Sequence, residues 1–270
     1  MKDDACYIII VVYNSINYTI KCIDSILNSK NSKYKIILVD NGSDSKIKDT
    51  LKAHLISLNL NKTIKLLELN DNYGYGYGVN YGIKYSLNFT DCSYLWVLNN
   101  DVRIEDDCLS KLVDCYPNKS IISPAIYDYD DDKKIQSLGG MLNPFFLTTK
   151  NIQKSSNSVF DFLSGSSLFF SSAIVSINGF LSIKYFMYYE DVDWCLRAKN
   201  NNIKLAIIED CKIFHKNKKR ISYKLKTISQ LNRLRLCYEH YLYKLPLVLL
   251  AVLISLIVTP FKRLSYILDD

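Results

Sequence analysis

The chain has 270 residues, 49% of them apolar and 23% charged, with a formal net charge of +7. This composition excludes a disordered or collagen-like chain, and the length allows one large domain or two small ones with a substantial core.

The first half alternates strand and helix patterns. Tyr7 to Tyr13 is apolar and β-branched, as expected of a strand buried on both faces. Asn14 and Ser15 are placed to cap a helix carrying Ile20, Ile23, Ile26 and Leu27 at helical spacing. A second buried strand, Tyr34 to Val39, runs into the turn-rich Asp40-Asn41-Gly42-Ser43-Asp44. Then come a helix over 47–58, a strand over 63–69, a helix over 79–87 and a strand over 94–98. Such alternation predicts an α/β domain with a mostly parallel sheet. In such a sheet the loops after the strands gather at one end, where ligands bind. Tyr13-Asn14, Asp40 to Asp44, Asn70 to Tyr75 and Asn99-Asn100-Asp101 all fall there.

Asn72-Tyr73-Gly74-Tyr75-Gly76-Tyr77-Gly78, with Asn80 and Gly82, reads as a loop admitting a sugar or nucleotide close to the backbone, or as a solvated turn. It is not G-x-G-x-x-G, because Tyr81 stands where the third glycine would fall, and it lacks the Lys-Ser or Lys-Thr of a P-loop. A dehydrogenase and a P-loop NTPase are therefore disfavoured. Asn99-Asn100-Asp101 offers one carboxylate and two amides, enough for a hard cation that shares ligands with phosphates, or simply an Asx turn.

Beyond 105 the pattern gives a helix over 108–115, a strand over 120–126 and an acidic exposed loop over 127–134. Residues 137–158 are rich in Ser, Asn and Pro and are expected to cover the site or meet an acceptor. Ser164-Gly165-Ser166 sits between apolar runs, and 173–179 reads as a short helix.

Phe186 to Trp194 sets three carboxylates, Glu190, Asp191 and Asp193, inside four positions after an aromatic run. Like charges repel, so a base, a metal or a cationic group would explain them. An acidic first turn of a helix running through Arg197 explains them too, and the residues alone leave both readings open. Asp193 is also spaced to pair with Arg197.

His215 follows a strand over 203–208, and only His54 and His240 accompany it, so no His-rich metal site can form. From Lys212 to Lys226 there are seven Lys or Arg and no acid. This block lacks a repeated alternation of cations with stacking aromatics, so nucleic acid is not an expected partner. Phosphates or an anionic membrane suit it better. Pro246 to Phe261 is uncharged; its length of about 24 Å as a helix falls short of the roughly 30 Å of a hydrocarbon core. An interfacial helix flanked by Lys244, Lys262 and Arg263 is expected, with a buried core helix as the alternative. None of the eight cysteines falls at C-x-x-C spacing, so no zinc or dithiol motif is expected; several sit in apolar patterns, as buried free thiols do, and with no signal peptide apparent a reducing cytosolic compartment is expected.

Five of these motifs occur in an order and spacing that resemble a known family: Val11-Val12-Tyr13-Asn14, Val39 to Asp44, Asn72 to Gly76 with Asn80, Leu98 to Asp101, and Phe186 to Asp193 with Arg197. Over roughly residues 6–240 the chain resembles family 2 inverting glycosyltransferases, particularly the rhamnosyltransferase-like branch of bacterial polysaccharide assembly. The resemblance implies a GT-A fold, a nucleotide-diphosphate sugar donor (dTDP-rhamnose first, a UDP-hexose next), a glycan or lipid-linked acceptor and a Mg²⁺ or Mn²⁺ ion. Tyr13, Asn14, Asp40, Asn41, Asn72, Gly74, Asn80, Asn99 and Asn100 would meet the donor, with Asp40 on the base or ribose. Asp101 matches the last residue of the D-x-D-type metal motif, whose first acidic position is Asn99 here, and His215 falls near a metal- or phosphate-binding histidine. Asp191 matches the catalytic base and Glu190 its acceptor-orienting neighbour. Leu181-Ser182 departs from the usual Asp-Glu, and Asn200-Asn201-Asn202 from a small-residue turn. The expected organisation is a catalytic domain over 1–240 and an apolar helix over 241–270, cytoplasmic and peripheral on the inner face of the membrane. A sugar nucleotidyltransferase is the rival enzyme, but Tyr13 to Asn17 lacks its Gly-rich, basic loop; a catalytically silent nucleotide-sugar binder is the non-enzymatic alternative.

Overall fold

The computed structural model describes residues 4–30, 33–60, 62–154, 160–216 and 222–268, with side chains of the last helix described as far as Leu256. Parts of two expected features, residues 155–158 of the covering segment and Lys218, Lys219 and Arg220 of the basic block, lie outside the described residues.

A parallel sheet forms the centre. β1 (Ala5–Val12) is buried along its whole length and pairs in parallel with β2 (Tyr34–Asn41) and β4 (Cys92–Asn99), while β3 (Ile64–Leu69) extends it beyond β2. Alternation decides the faces. Tyr7, Ile9 and Val11 pack with α3 (Tyr75–Ser86) and α6 (Glu190–Asn200). Cys6, Ile8, Ile10 and Val12 pack with α1 (Ile16–Leu27), α2 (Ser45–Leu58) and α4 (Cys108–Asp114).

Beyond β4 the sheet turns mixed. β10 (Ser167–Ser171) lies antiparallel between β4 and β6 (Ser120–Asp128), and β11 (Lys204–His215) runs parallel to β6. β5 (Val102–Ile104) closes that edge, and β7 (Ile135–Ser137) pairs with β6. Asp128, expected in an exposed loop, is buried at the end of β6. β11 outruns its expected end at 208: a register shift between Ile208 and Lys212 carries it on to His215, opposite Val102. That bulge brings the histidine beside the Asn99–Asp101 turn.

Two other local expectations change. The Gly/Tyr motif is a helix from Tyr75 onward, not a loop. Its glycines serve packing: a Cβ on Gly78 would lie 2.8 Å from Val11 Cγ1, and one on Gly82 2.6 Å from Ile9 Cγ2, so α3 can rest closely on β1. Asn14 does not cap α1; its side-chain oxygen accepts the N–H of Asp44 at 2.8 Å, tying the first two strand-end loops together.

The segment over 137–151 forms a hairpin of β8 (Gly140–Leu142) and β9 (Thr149–Asn151). α5 (Ala173–Asn178) precedes the loop to α6. α7 (Tyr223–His240) leads through a 3-10 turn to α8 (Leu245–Leu268). Val248 and Val252 bury one side of α8 against Cys237 and Leu147 of the hairpin. Leu249, Leu250, Leu253 and Ile254 stay exposed. Among the described residues no helix is long and apolar enough to cross a membrane. The expectation of free thiols holds for six cysteines and not for two: Cys108 and Cys211, brought together by α4 packing on β11, form a disulfide.

Candidate active site

The ends of β1, β2 and β4 lie level, with Val12 opposite Asp40 and Val11 opposite Asn99. Their loops therefore open on one cleft of about 1210 Å³. Tyr13, Asn14, Asn41, Asn72, Asn99, Asn100, Asp101, Glu190, Asp191 and His215 all line it.

Three expected donor contacts do not. Asp40 is 1% exposed, accepts the Ser43 N–H at 3.3 Å and lies 3.5 Å from Lys48 Nζ, so it braces the loop from behind. Asn80 is buried and grips the Leu181 backbone twice, donating to its carbonyl at 2.8 Å and accepting its N–H at 3.0 Å. Gly74, at φ +92°, passes so close to Phe186 that a Cβ would fall 2.5 Å from the Phe186 carbonyl oxygen. Its carbonyl accepts Asn41 Nδ2 at 3.1 Å and its N–H donates to Asn72 Oδ1 at 3.0 Å, which aims those two amides.

Asn100 also turns inward, donating to Thr19 Oγ1 at 2.8 Å. His215 is held by an amide pair: Gln136 Nε2 donates to the His215 carbonyl at 2.7 Å, which leaves Gln136 Oε1 to accept Nδ1–H at 3.1 Å. Nε2 then carries the lone pair. It takes the Asn99 amide at 3.3 Å and faces Asp101 Oδ1 at 3.3 Å, a buried oxygen without a hydrogen-bond partner among the described residues. Two acceptors confronting each other call for a cation or proton between them. No cluster of three or more acidic, His or Cys side chains forms a ready-made cage among the described residues. Asp101 and His215 would thus suit a divalent cation whose remaining ligands come from outside the chain.

Across the cleft, Asp191 lies in the first turn of α6. Its Oδ2 accepts the Gly165 N–H at 2.7 Å and its Oδ1 the Val192 N–H at 2.8 Å. Tyr75 donates its hydroxyl to the Gly165 carbonyl at 2.9 Å and so pins that loop from α3. Burial raises the Asp191 carboxyl above the usual range, with the Gly165 and Val192 N–H groups opposing the shift. Glu190 goes further: burial first, then the neighbouring Asp191 charge, push it well up, and its Oε2 has no hydrogen-bond partner among the described residues. Two acidic side chains on one wall thus sit in environments that favour proton uptake.

Asp193 differs. Burial pushes its carboxyl up, but hydrogen bonds from His240 and Arg197 outweigh it and hold the group below its usual value. Arg197 Nε at 2.9 Å and His240 Nε2 at 2.8 Å saturate it, so Asp193 ties α6 to α7. Tyr188 and Tyr189, just before Glu190, both have left-handed φ, +70° and +72°. Such strain persists only where neighbours enforce it. The enforcer is Asn232 of α7, which donates to the Met187 carbonyl at 2.8 Å and the Tyr188 carbonyl at 3.1 Å.

Gly165, Gln136 and Asn232 are site residues that sequence reading missed, and Tyr75, expected only as part of the Gly/Tyr motif, acts through its hydroxyl on the Gly165 carbonyl. Ser164-Gly165-Ser166 between apolar runs was a visible break; Gln136 and Asn232 carry no sequence signal, because only folding brings them to the site. Of the basic block, Lys216 and Lys226 line the cleft and Lys216 forms an ion pair with Asp130, whereas the Lys212 ammonium lies over the Tyr127 ring at 5.5 Å.

Comparison with known proteins adds the family. Residues 7–176 match the model for Glycosyl transferase family 2. The chain is 28% identical over 178 residues to the low-salt glycan biosynthesis hexosyltransferase Agl10 of Haloferax volcanii, over 64% of this chain and 55% of that protein. It is 28% identical over 222 residues to the dTDP-rhamnosyl transferase RfbF of Shigella flexneri (77% of this chain, 68% of RfbF). Similar identity, 28% over 221 residues, links it to the rhamnosyltransferase WbbL of Escherichia coli K12 (75% and 80%). The chain therefore spans about half the length of Agl10 and more of the other two. Among solved structures, GalNAc-T7 with UDP, GalNAc and Mn²⁺ superposes with a TM-score of 0.70 at 12% identity, over 87% of this chain and 47% of that one. S. aureus TarS 1–349 gives 0.58 at 14%, over 88% and 72%. At such identity these two speak for the fold, which is of the GT-A type. With the strand-end cleft, this fold and a family match over most of the sheet, the chain belongs to glycosyl transferase family 2.

Proposed function

We propose that this chain is a metal-dependent inverting glycosyltransferase of cell-surface polysaccharide assembly. It moves a sugar from a nucleotide-diphosphate donor to a hydroxyl of a glycan or lipid-linked acceptor. The names of RfbF and WbbL support dTDP-rhamnose as the first donor to test, with UDP-hexoses next. The observation that carries the reading is Asp191: a cleft-lining carboxylate fixed by two backbone N–H groups, with its proton affinity raised.

In a single displacement the acceptor oxygen bonds to the anomeric carbon as the bond to the donor diphosphate breaks. The acceptor proton passes to Asp191, and the diphosphate leaves with the electron pair. Asp101 and His215 would hold the divalent ion, which offsets charge on the leaving diphosphate. Glu190, protonated, would donate a hydrogen bond that orients the acceptor. Asn72 offers an amide to the nucleotide beside Tyr13, while Asn41, its Nδ2 given to Asn72 and Gly74 and its Oδ1 to the Tyr73 N–H, holds that loop in place. The division near residue 240 and peripheral attachment to the inner membrane face through α8 are part of the proposal, supported by the exposed Leu249, Leu250, Leu253 and Ile254.

The test is purified protein with Mn²⁺ or Mg²⁺ against a panel of nucleotide sugars, scored by thermal shift and then by hydrolysis. Turnover of dTDP-rhamnose is expected. Absence of binding and turnover with every donor would overturn the reading.

A further inference from the structure

The β8–β9 hairpin holds two large aromatic side chains in water at its tip: Phe145 is 64% exposed and Phe146 42%. Neighbouring aromatics left this open are the mark of a contact surface, because burying them is favourable wherever an apolar phase meets them. Asn143 builds the tip. Its Oδ1 accepts the N–H groups of Phe145 and Phe146, both at 2.9 Å, and its carbonyl accepts the Leu147 N–H at 2.9 Å. The N–H of Asn143 itself donates to the Thr148 carbonyl at 2.8 Å, and Pro144 has none to offer. Every backbone donor from 143 to 147 is therefore taken inside the hairpin. Such a tip leaves water without stranding an N–H, which is the condition that lipid imposes on a backbone.

The tip is also fixed beside α8. Leu147 is buried in the cluster of Cys237, Val248 and Val252, and its carbonyl accepts the Tyr189 hydroxyl at 3.3 Å. Its φ of +56° is strained for leucine and is kept by those contacts. Phe145 and Phe146 thus stand next to the helix whose Leu249, Leu250, Leu253 and Ile254 are exposed.

Charge decides between occupants. Residues 133–160 include Lys133, Lys134, Lys150 and Lys154 and no Asp or Glu; residues 240–268 include Lys244, Lys262 and Arg263 and again no acid. A second copy docked face to face would set these cations against their own counterparts, whereas an anionic bilayer complements them. We propose that the Phe145–Phe146 tip of the β8–β9 hairpin inserts into the interface of an anionic lipid bilayer, as an anchor beside α8. The proposal rests on the membrane-attachment reading above and adds a second contact to it. Thr149 and Asn151 of the same hairpin line the cleft, so this anchor holds the cleft close to the lipid surface.

The experiment uses the full chain carrying Phe145→Trp. The two native tryptophans, Trp96 and Trp194, are fully buried, so the added indole reports on the tip. With phosphatidylcholine–phosphatidylglycerol vesicles its emission is expected to shift to the blue, and brominated acyl chains should quench it. Phe145→Ser combined with Phe146→Ser changes only exposed positions and should melt as wild type does. It should raise the lipid concentration for half-maximal co-sedimentation about tenfold. Co-sedimentation with no blue shift or quenching leaves α8 as the anchor and overturns this proposal. Quenching together with undiminished sedimentation of Leu250→Glu combined with Leu253→Glu removes α8 and keeps the tip. A blue shift that grows with protein concentration in the absence of lipid identifies a second copy as the occupant and overturns the proposal. Failure of wild type to sediment with the vesicles overturns it as well, together with attachment through α8.

Discussion

Gly165 donates its N–H to Asp191 Oδ2 at 2.7 Å, and a Cβ on Gly165 would lie 3.1 Å from that same oxygen. The loop before β10 can hold the carboxylate this closely because position 165 has no side chain. Gly165→Ala is therefore expected to push Asp191 by a few tenths of an ångström, at about 1–3 kcal/mol in stability. Steady-state kinetics should show kcat down about 10- to 100-fold with donor KM little changed. Tyr75→Phe, which frees the Gly165 carbonyl, should act in the same direction more weakly.

Asp191→Asn keeps the shape but removes the proton acceptor, and its NH2 must face either the Gly165 or the Val192 N–H, so one backbone contact is lost. It should fold with a somewhat lower melting temperature and lose transfer by roughly 10³-fold or more. Turnover like that of wild type would remove Asp191 as base.

Glu190 has its carboxyl raised in the folded state, so its contribution to stability is fully present below the unfolded carboxyl range. It is lost as pH rises toward the folded value. Glu190→Gln mimics the protonated form at every pH. The melting temperature of Glu190→Gln relative to wild type should thus grow from about pH 5 to about pH 9. A pH-independent difference would mean that Glu190 is ionised in the fold. Because Asp191 is raised too, the acid limb of the rate profile should lie above that of an ordinary aspartate.

Asp101→Ala leaves His215 as the remaining protein donor of the pair. The Mn²⁺ concentration giving half-maximal rate should rise about tenfold or more, and Mn²⁺ binding followed by electron paramagnetic resonance should weaken in step. Unchanged metal dependence would reassign Asp101.

The exposed apolar face of α8 can be tested with Leu250→Glu combined with Leu253→Glu, since both residues face outward. Co-sedimentation with anionic vesicles should fall several-fold while transfer to a soluble acceptor persists, because Val248 and Val252 keep the helix docked. Equal sedimentation of the two proteins would remove α8 as the attachment surface.

How much of this was legible in sequence depended on whether a signal is local. β1, β2 and β4 announce themselves as β-branched runs, and parallel pairing brings the loops after them to one edge. Asn14, Asn41 and Asp101 follow from that rule alone. The Asp193–Arg197 pair was readable because helical spacing fixes it. The Gly/Tyr motif misled, since glycines at 78 and 82 look like a ligand loop until β1 is seen beneath them. The disulfide misled for the opposite reason: Cys108 and Cys211 are separated by 103 residues, and nothing local relates them.

By itself the sequence determined the alternation of elements, the end of the sheet that carries chemistry and the carboxylates to suspect, because period and chain order are local properties. Only the tertiary structure decided which polar groups face the cleft. It turned Asp40 and Asn80 into braces, extended β11 through a bulge to set His215 against Asp101, and clamped the strained Tyr188–Tyr189 turn with Asn232. Those outcomes rest on contacts between residues far apart in the chain. Burial and hydrogen-bond partners there are set by which surfaces meet, and no local pattern encodes them.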